Sequence, residues 1–203
     1  MIYLRDMDAF EIIRYYYPED TALRRLLWKH SCQVRDKALA ILHAGKALHL
    51  QLDEGLVTVG ALLHDIGVGR CHAPSILCNG KEPYLAHGVI GGAMLREYGF
   101  SHGLDMEAYA RICERHTGAG LTANEIRTSR LPLPERDFLP DTNEEKLICL
   151  ADKFYSKSGD MQEKPFSQVR ASLAKFGTAT LQRFDAMCCL FGLPEAQLSL
   201  TLS

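Results

Sequence analysis

Apolar residues recur every three to four positions through most of this chain, and that spacing restricts it to helices. In "ALRRLLWKHSCQVRDKALAILHAGKALHL" they fall at Leu23, Leu26 and Leu27, then at Val34, Ala38, Ile41 and Leu42, which is one face of a 3.6-residue period. Asp20 or Thr21 stands at the expected N-cap, and a bend is expected near Ser31 or Gly45. A second helix starts at Asp53, carries Leu56, Val59, Leu62 and Leu63, and stops at Gly67. "YLAHGVIGGAMLREYG" forms a third, ending at Gly99, with Gly91-Gly92 marking close packing or a kink. Further helices are expected over "MEAYARICERHTG", capped by Asp105, over "EEKLICLADKFYSKSG", capped by Asn143, and over 166–176 and 178–191. No strand-like alternation of any length and no repeat interrupts this pattern. The proline-containing stretch from Gly118 to Thr142 is either a lid or a plain connection, and its place just after His116 favours a lid.

The expectation is one all-α domain over 1–203, with a core over about 20–160 on which an N-terminal helix and the C-terminal helices pack. A chain of 203 residues that is 47% hydrophobic can bury a core without staples. Its formal net charge of -2 gives no electrostatic case for a nucleic acid or an anionic membrane as partner. No apolar run is long enough to cross a bilayer. Seven cysteines without a CxxC pair, behind an N-terminus with early acidic residues and no long apolar leader, read as reduced thiols in a cytoplasmic protein.

Function is carried by the polar residues that interrupt the apolar faces. They are His30 in "LLWKHSCQV", His64 and Asp65 in "GALLHD", His87 in "YLAHGVIGG", His116 in "ICERHTG" and Asp152 in "LICLADKF". Burying six such groups separately would be costly, and shared coordination of a cation explains them together. Imidazole and carboxylate suit iron, manganese and zinc. Adjacent helical residues point about 100° apart. His64 and Asp65 therefore either approach one cation from two sides, or Asp65 bridges two. Gly67 and Gly69 are expected to turn the backbone away. Metal-bound histidines pass their second ring proton to an acceptor, for which Glu114 and Asp36 are candidates. Arg115, next to His116, is expected to point away. His43, His49, His72 and His102 read as surface residues, Tyr15 to Tyr17 as packing, and Cys188 and Cys189 as inert buried thiols.

In order along the chain, His30, His64-Asp65 and Asp152 resemble the pattern of the HD-domain superfamily of metal-dependent phosphohydrolases. The string "HDIG" is the form of one large branch. The resemblance covers Leu26 to Lys157, and His87 and His116 fall where dinuclear members carry two more histidines. "RHTGAGLTANEI" followed by "ADKFYSKSG" resembles a small HDIG-type subfamily of prokaryotic proteins. More loosely, the chain is similar to HD hydrolases that split dinucleoside polyphosphates symmetrically.

The resemblance implies a compact helical HD-domain bundle. It implies that His30, His64, Asp65 and Asp152 hold one divalent metal and that Asp65, His87 and His116 hold a second. Iron is the first expectation, with manganese, zinc, nickel or magnesium as alternatives. A metal-activated hydroxide would then attack a small phosphate ester or anhydride, a nucleotide above all. Asp65, Arg70 and Lys153 are the expected catalytic residues, and Arg70, Lys153 and Lys157 the substrate-binding cations, by their closeness in sequence to the HD pair and to Asp152. A homodimer is compatible with this reading. A di-iron oxygenase on the HD fold and a nucleotide-sensing module are the competing readings.

Overall fold

A helix that is apolar on all sides must be surrounded by others, and the segment leading to His64 is such a helix. In the computed structural model, which describes residues 6–44 and 48–193, the helices follow in the order α1 (Asp6–Tyr16), α2 (Ala22–His43), α3 (Glu54–Leu63), α4 (His87–His102), α5 (Glu107–Arg115), α6 (Ala123–Thr128), α7 (Asn143–Asp152), α8 (Phe166–Ala174) and α9 (Thr178–Leu190). The architecture is all-α. Two-residue strands β1 (His72–Ala73) and β2 (Cys78–Asn79) pair antiparallel inside the turn-rich segment after the HD pair, with His72 opposite Asn79.

On α3, Val57, Val59, Ala61, Leu62 and Leu63 are all buried. Val57 and Ala61 pack with Val34, Ala38 and Ile41 of α2, Leu147 and Ile148 of α7, and Phe184 of α9. Val59, Leu62 and Leu63 face a second cluster with Ile12 and Ile13 of α1, Leu27, Leu95 of α4, and Ala110 and Cys113 of α5. Each large aliphatic side chain hidden this way contributes about 1.5–3 kcal/mol. The C-terminus of α3 therefore opens into the centre of the molecule.

Thr21 rather than Asp20 caps α2, its hydroxyl accepting from Arg24 N at 3.1 Å. The helix runs unbroken past Ser31, and the bend placed at Gly45 lies outside the described residues. Asp53 caps α3 as expected, whereas α7 is capped by Thr142 and not Asn143. Helix α4 continues beyond Gly99 and ends at Gly103, whose φ of 66° provides the left-handed stop. Gly99 is instead a site of close contact with Leu104 and Met106.

Gly67 is not a conformational turn residue, because its φ of -80° and ψ of -10° are ordinary for any residue. A Cβ there would overlap His87 O and lie 2.5 Å from Gly91 N. The missing side chain lets the backbone after Asp65 lie against the start of α4, where His87 is carried. Tyr17 holds the same segment from the other side. Its hydroxyl donates to Ile66 O at 2.5 Å and accepts from Gly69 N at 3.1 Å, and a Cβ on Gly69 would strike its ring. The tyrosine run serves packing: Tyr16 donates to Met94 O, and exposed Tyr15 rests edge-on against Tyr98 and His102.

The stretch from Gly118 to Thr142 is a packed connection, not a lid. It contains α6, whose Thr122–Glu125 capping box is complete. Leu121 and Phe138 exchange backbone hydrogen bonds, and Ile126 and Phe138 are buried. Arg183 of α9 binds Ala119 O, Gly120 O and Glu125. Lifting the segment would break these bonds and expose both side chains to water. Among the described residues no helix is long and apolar enough to cross a membrane.

Gly67→Ala should cost about 3 kcal/mol of stability, since two backbone segments must separate to admit a methyl group. Urea unfolding followed by circular dichroism measures this.

Candidate metal centre

Four chain segments end at one point and a fifth passes beside it. His30 sits within α2, His64 and Asp65 directly follow α3, His87 is the first residue of α4, His116 directly follows α5, and Asp152 is the last residue of α7. All six are buried, and His30, His64 and Asp65 have no accessible surface. Their ligand atoms form two groups, His30–His64–Asp65–Asp152 and Asp65–His87–His116, with the atoms of each group within 4.8 Å of one another.

Asp65 belongs to both groups and divides its oxygens between them. Its Oδ2 lies 3.2 Å from His30 Nε2 and 3.2 Å from His64 Nε2. Its Oδ1 lies 3.3 Å from His87 Nε2 and 3.5 Å from His116 Nε2. Asp152 completes the first group, with Oδ1 at 3.0 Å from His30 Nε2 and 3.5 Å from His64 Nε2.

Three of the imidazoles are aimed by one device. His64 Nδ1–H donates to Ala61 O, His87 Nδ1–H to Tyr84 O and His116 Nδ1–H to Cys113 O, each at 2.7 Å. Every acceptor lies three residues upstream, so the ring folds back on its own helical turn and Nε2 faces the cluster. These carbonyls take the place expected for Glu114 and Asp36. Glu114 is instead held by Arg96 and Arg136, and Asp36 pairs with Arg35.

The donor set fits divalent cations. With both Nδ1 atoms donating, His87 Nε2 and His116 Nε2 present lone pairs to each other at 3.0 Å, an arrangement that a cation between them relieves. Among the described residues no aligned hydrogen bond reaches His64 Nε2 or Asp65 Oδ1, although both are buried. Buried polar atoms without partners are uncommon. Protons and ammonium groups balance the two carboxylates. Burial opposes a charged His64, but Asp65 and Asp152 outweigh it and raise its pKa to about 9. Burial also opposes the two carboxylates, yet His64 and Lys157 hold Asp65, and Lys153 and His30 hold Asp152, well below the usual carboxylate range. Burial drives His87 down to about 3 and lowers His116, so both are neutral ligands at ordinary pH.

The three cations named from the sequence are placed differently. Lys157 Nζ is 2.6 Å from Asp65 Oδ2. Lys153 Nζ donates to Asp152 Oδ2 at 2.7 Å and to His116 O at 2.9 Å, bracing two ligand-bearing segments. Arg70 is not brought to the cluster. It is exposed on the wall of a separate cleft of about 380 Å³, with Tyr16, Tyr17 and Glu19. Among the described residues no hydrogen bond or ion pair joins it to a proposed ligand. The 3-10 turn of Val68–Arg70 carries its side chain away once Tyr17 has pinned Ile66 and Gly69.

Arg115 turns to Glu145, and His43, His49, His72 and His102 are exposed, as expected. Cys188 is buried but Cys189 is exposed, which corrects the reading of both as buried thiols. Tyr84 was missed. Its ring stacks on His87 at 4.8 Å and 23°, its carbonyl orients that histidine, and Lys157 Nζ stands 6.0 Å from its ring centroid. The spacing Tyr84–His87, one helical turn, is the signal that could have found it.

Comparison with known proteins agrees with this geometry. Residues 27–156 match the family model described as HD domain. An uncharacterised protein of Methanocaldococcus jannaschii is 40% identical over 124 residues, 61% of this chain and 63% of that protein. Two proteins named tRNA (cytidine(56)-2'-O)-methyltransferase are also similar. That of Picrophilus torridus is 36% identical over 51% of this chain and 25% of its own length. That of Thermoplasma volcanium is 32% identical over 68% of this chain and 33% of its own length. The chain thus spans less than two thirds of each of these relatives. No solved structure matches.

The two groups should differ in pH response. With His64 raised to about 9, filling the first group near pH 7.5 should release about one proton, and affinity should weaken as pH falls. With His87 at about 3, the second group should release none. Calorimetric titration in two buffers of different ionisation enthalpy separates these outcomes. Lys153→Met should reduce metal affinity by about 10- to 100-fold through loss of the brace on Asp152, measured by competition with a chromogenic chelator.

Proposed function

This chain belongs to the HD domain family, a superfamily of metal-dependent hydrolases, and from that premise we propose that it is a phosphohydrolase acting on a nucleotide or another small phosphate ester or anhydride. The observation that carries the reading is Asp65, with one oxygen turned to each of two ligand groups. A shared carboxylate between two imidazole-rich groups suits a pair of cations a few ångströms apart.

His30, His64, Asp65 and Asp152 would hold one divalent ion, and Asp65, His87 and His116 the other. Four imidazoles with two carboxylates favour iron, with manganese, zinc or nickel next and magnesium last. Divalent cations, when bound, supply activation of water as a nucleophile and neutralisation of charge on phosphoryl oxygens. The chain supplies the rest. The carbonyls of Ala61, Tyr84 and Cys113 hold each Nδ1–H and aim each Nε2 at the cluster. Lys153 fixes Asp152 and the His116 backbone. Lys157 provides the cation nearest the shared carboxylate, and we assign it to substrate. The apolar helices behind the cluster exclude water from its rear.

The two similar chains named as tRNA methyltransferases share only 25% and 33% of their length with this chain, so their methyl-transfer activity is not carried over to it.

The test is phosphate release from a panel of mono-, di- and dinucleoside polyphosphates by protein reconstituted with iron or manganese. Asp65→Ala should lose both metal and activity, the latter by roughly 10³-fold or more. His87→Ala should retain the first metal and lose the second. Oxygen consumption without phosphate release across the panel would instead support the di-iron oxygenase reading.

A further inference from the structure

Two lysines reach the cluster, and they are held in different ways. Lys153 has two acceptors behind the ligands, Asp152 Oδ2 and His116 O. Lys157 lies in the turn after α7, on a long unbranched stem, and its ammonium meets one carboxylate, Asp65, with the Tyr84 ring beside it. The oxygen it meets, Oδ2, is also the one facing His30 and His64. Lys157 therefore uses an oxygen that the first ligand group needs. Its side chain is only 9% exposed, and a buried lysine–carboxylate pair is weak ground for stability compared with apolar packing. A purely structural role explains the pair poorly.

We infer that Lys157 and Tyr84 form an anion-positioning pair that is locked on Asp65 until a divalent cation takes that carboxylate. The inference rests on reading the cluster as a metal centre. A divalent ion sharing Oδ2 would repel an ammonium 2.6 Å from it. The stem is long enough to move the ammonium off Oδ2, and the Tyr84 hydroxyl is already a hydrogen-bonding partner for it. Burial holds that hydroxyl neutral and Lys157 partly offsets the effect. Tyr84 is 37% exposed while its ring stacks on buried His87, so this residue connects the cluster to the surface. Released there, the ammonium keeps only the attraction of Asp152 and takes an oxyanion, with the Tyr84 hydroxyl as a second donor. Metal binding thus creates the anion site, and by linkage a bound anion tightens the metal by the same factor.

The test uses equilibrium binding of manganese(II) and of orthophosphate to the full chain, so it needs no turnover. Free manganese is read by electron paramagnetic resonance and phosphate by calorimetry. Lys157→Met should bind manganese about tenfold more tightly than wild type, because its competitor is gone. The manganese-loaded variant should bind orthophosphate at least about tenfold more weakly. Tyr84→Phe keeps the ring and the carbonyl that orients His87; it should leave manganese affinity unchanged and weaken phosphate a few-fold. Lys157→Gln serves if Lys157→Met does not fold. Equal or weaker manganese binding by the Lys157 variants, or unchanged phosphate binding, overturns the inference. Wild type that binds manganese and shows this coupling, yet hydrolyses no phosphate compound, would leave the inference standing and defeat the phosphohydrolase reading.

Discussion

The Asp65 carboxylate is wholly buried, and the arrangement around it follows from the need to neutralise it. A charge in that position is tolerated only with close, well-placed partners. The partners are four imidazoles, divided between its two oxygens, and the ammonium of Lys157. They arrive from α2, from the end of α3, from the start of α4, from the end of α5, and from the turn after α7. Those helices must converge for the charge to be satisfied. The two apolar clusters on opposite sides of α3 provide the free energy that holds them together.

Helix ends suit this task because their last carbonyls have no partner within the helix. His64 and His116 use that vacancy by returning Nδ1–H to the carbonyl three residues back, whereas His87 adds its Nδ1–H to a Tyr84 carbonyl that already accepts the His87 backbone N–H. A ring tethered in this way has its direction set before any ligand arrives. Just beyond α5, the carbonyl of His116 itself accepts from Lys153 Nζ and Cys149 Sγ. Tyr17 and the bare backbone of Gly67 keep the segment after Asp65 pressed against α4, which fixes the separation of Asp65 from His87.

Much of this was legible in the sequence. Periodicity located the long helices, because each buries a continuous stripe and its spacing depends on little else. The six ligands stood out as polar breaks in apolar faces, and their order matched a known family. What was misread depends on neighbours distant in sequence. Gly67 looked like a turn residue, because a close helix approach and a left-handed φ both require glycine and only coordinates separate them. Arg70 is five residues from Asp65, but a 3-10 turn and the Tyr17 clamp point it elsewhere. Glu114 was plausible as a partner of His116 until Arg96 and Arg136 claimed it. The segment after His116 resembled a lid, because its attachment to Arg183 spans about sixty residues of sequence.

The sequence alone determined the helical class, the candidate ligands and the family, since these reside in local spacing and residue chemistry. Tertiary structure decided how the ligands are shared. It turned one Asp65 oxygen to each histidine group, assigned carbonyls rather than carboxylates to steady the rings, and set Lys157 apart from Lys153. The physical reason is that the site depends on side-chain contacts of 3.0–3.3 Å between groups separated by 22 to 122 residues. Such distances are fixed only when the two apolar clusters close around α3.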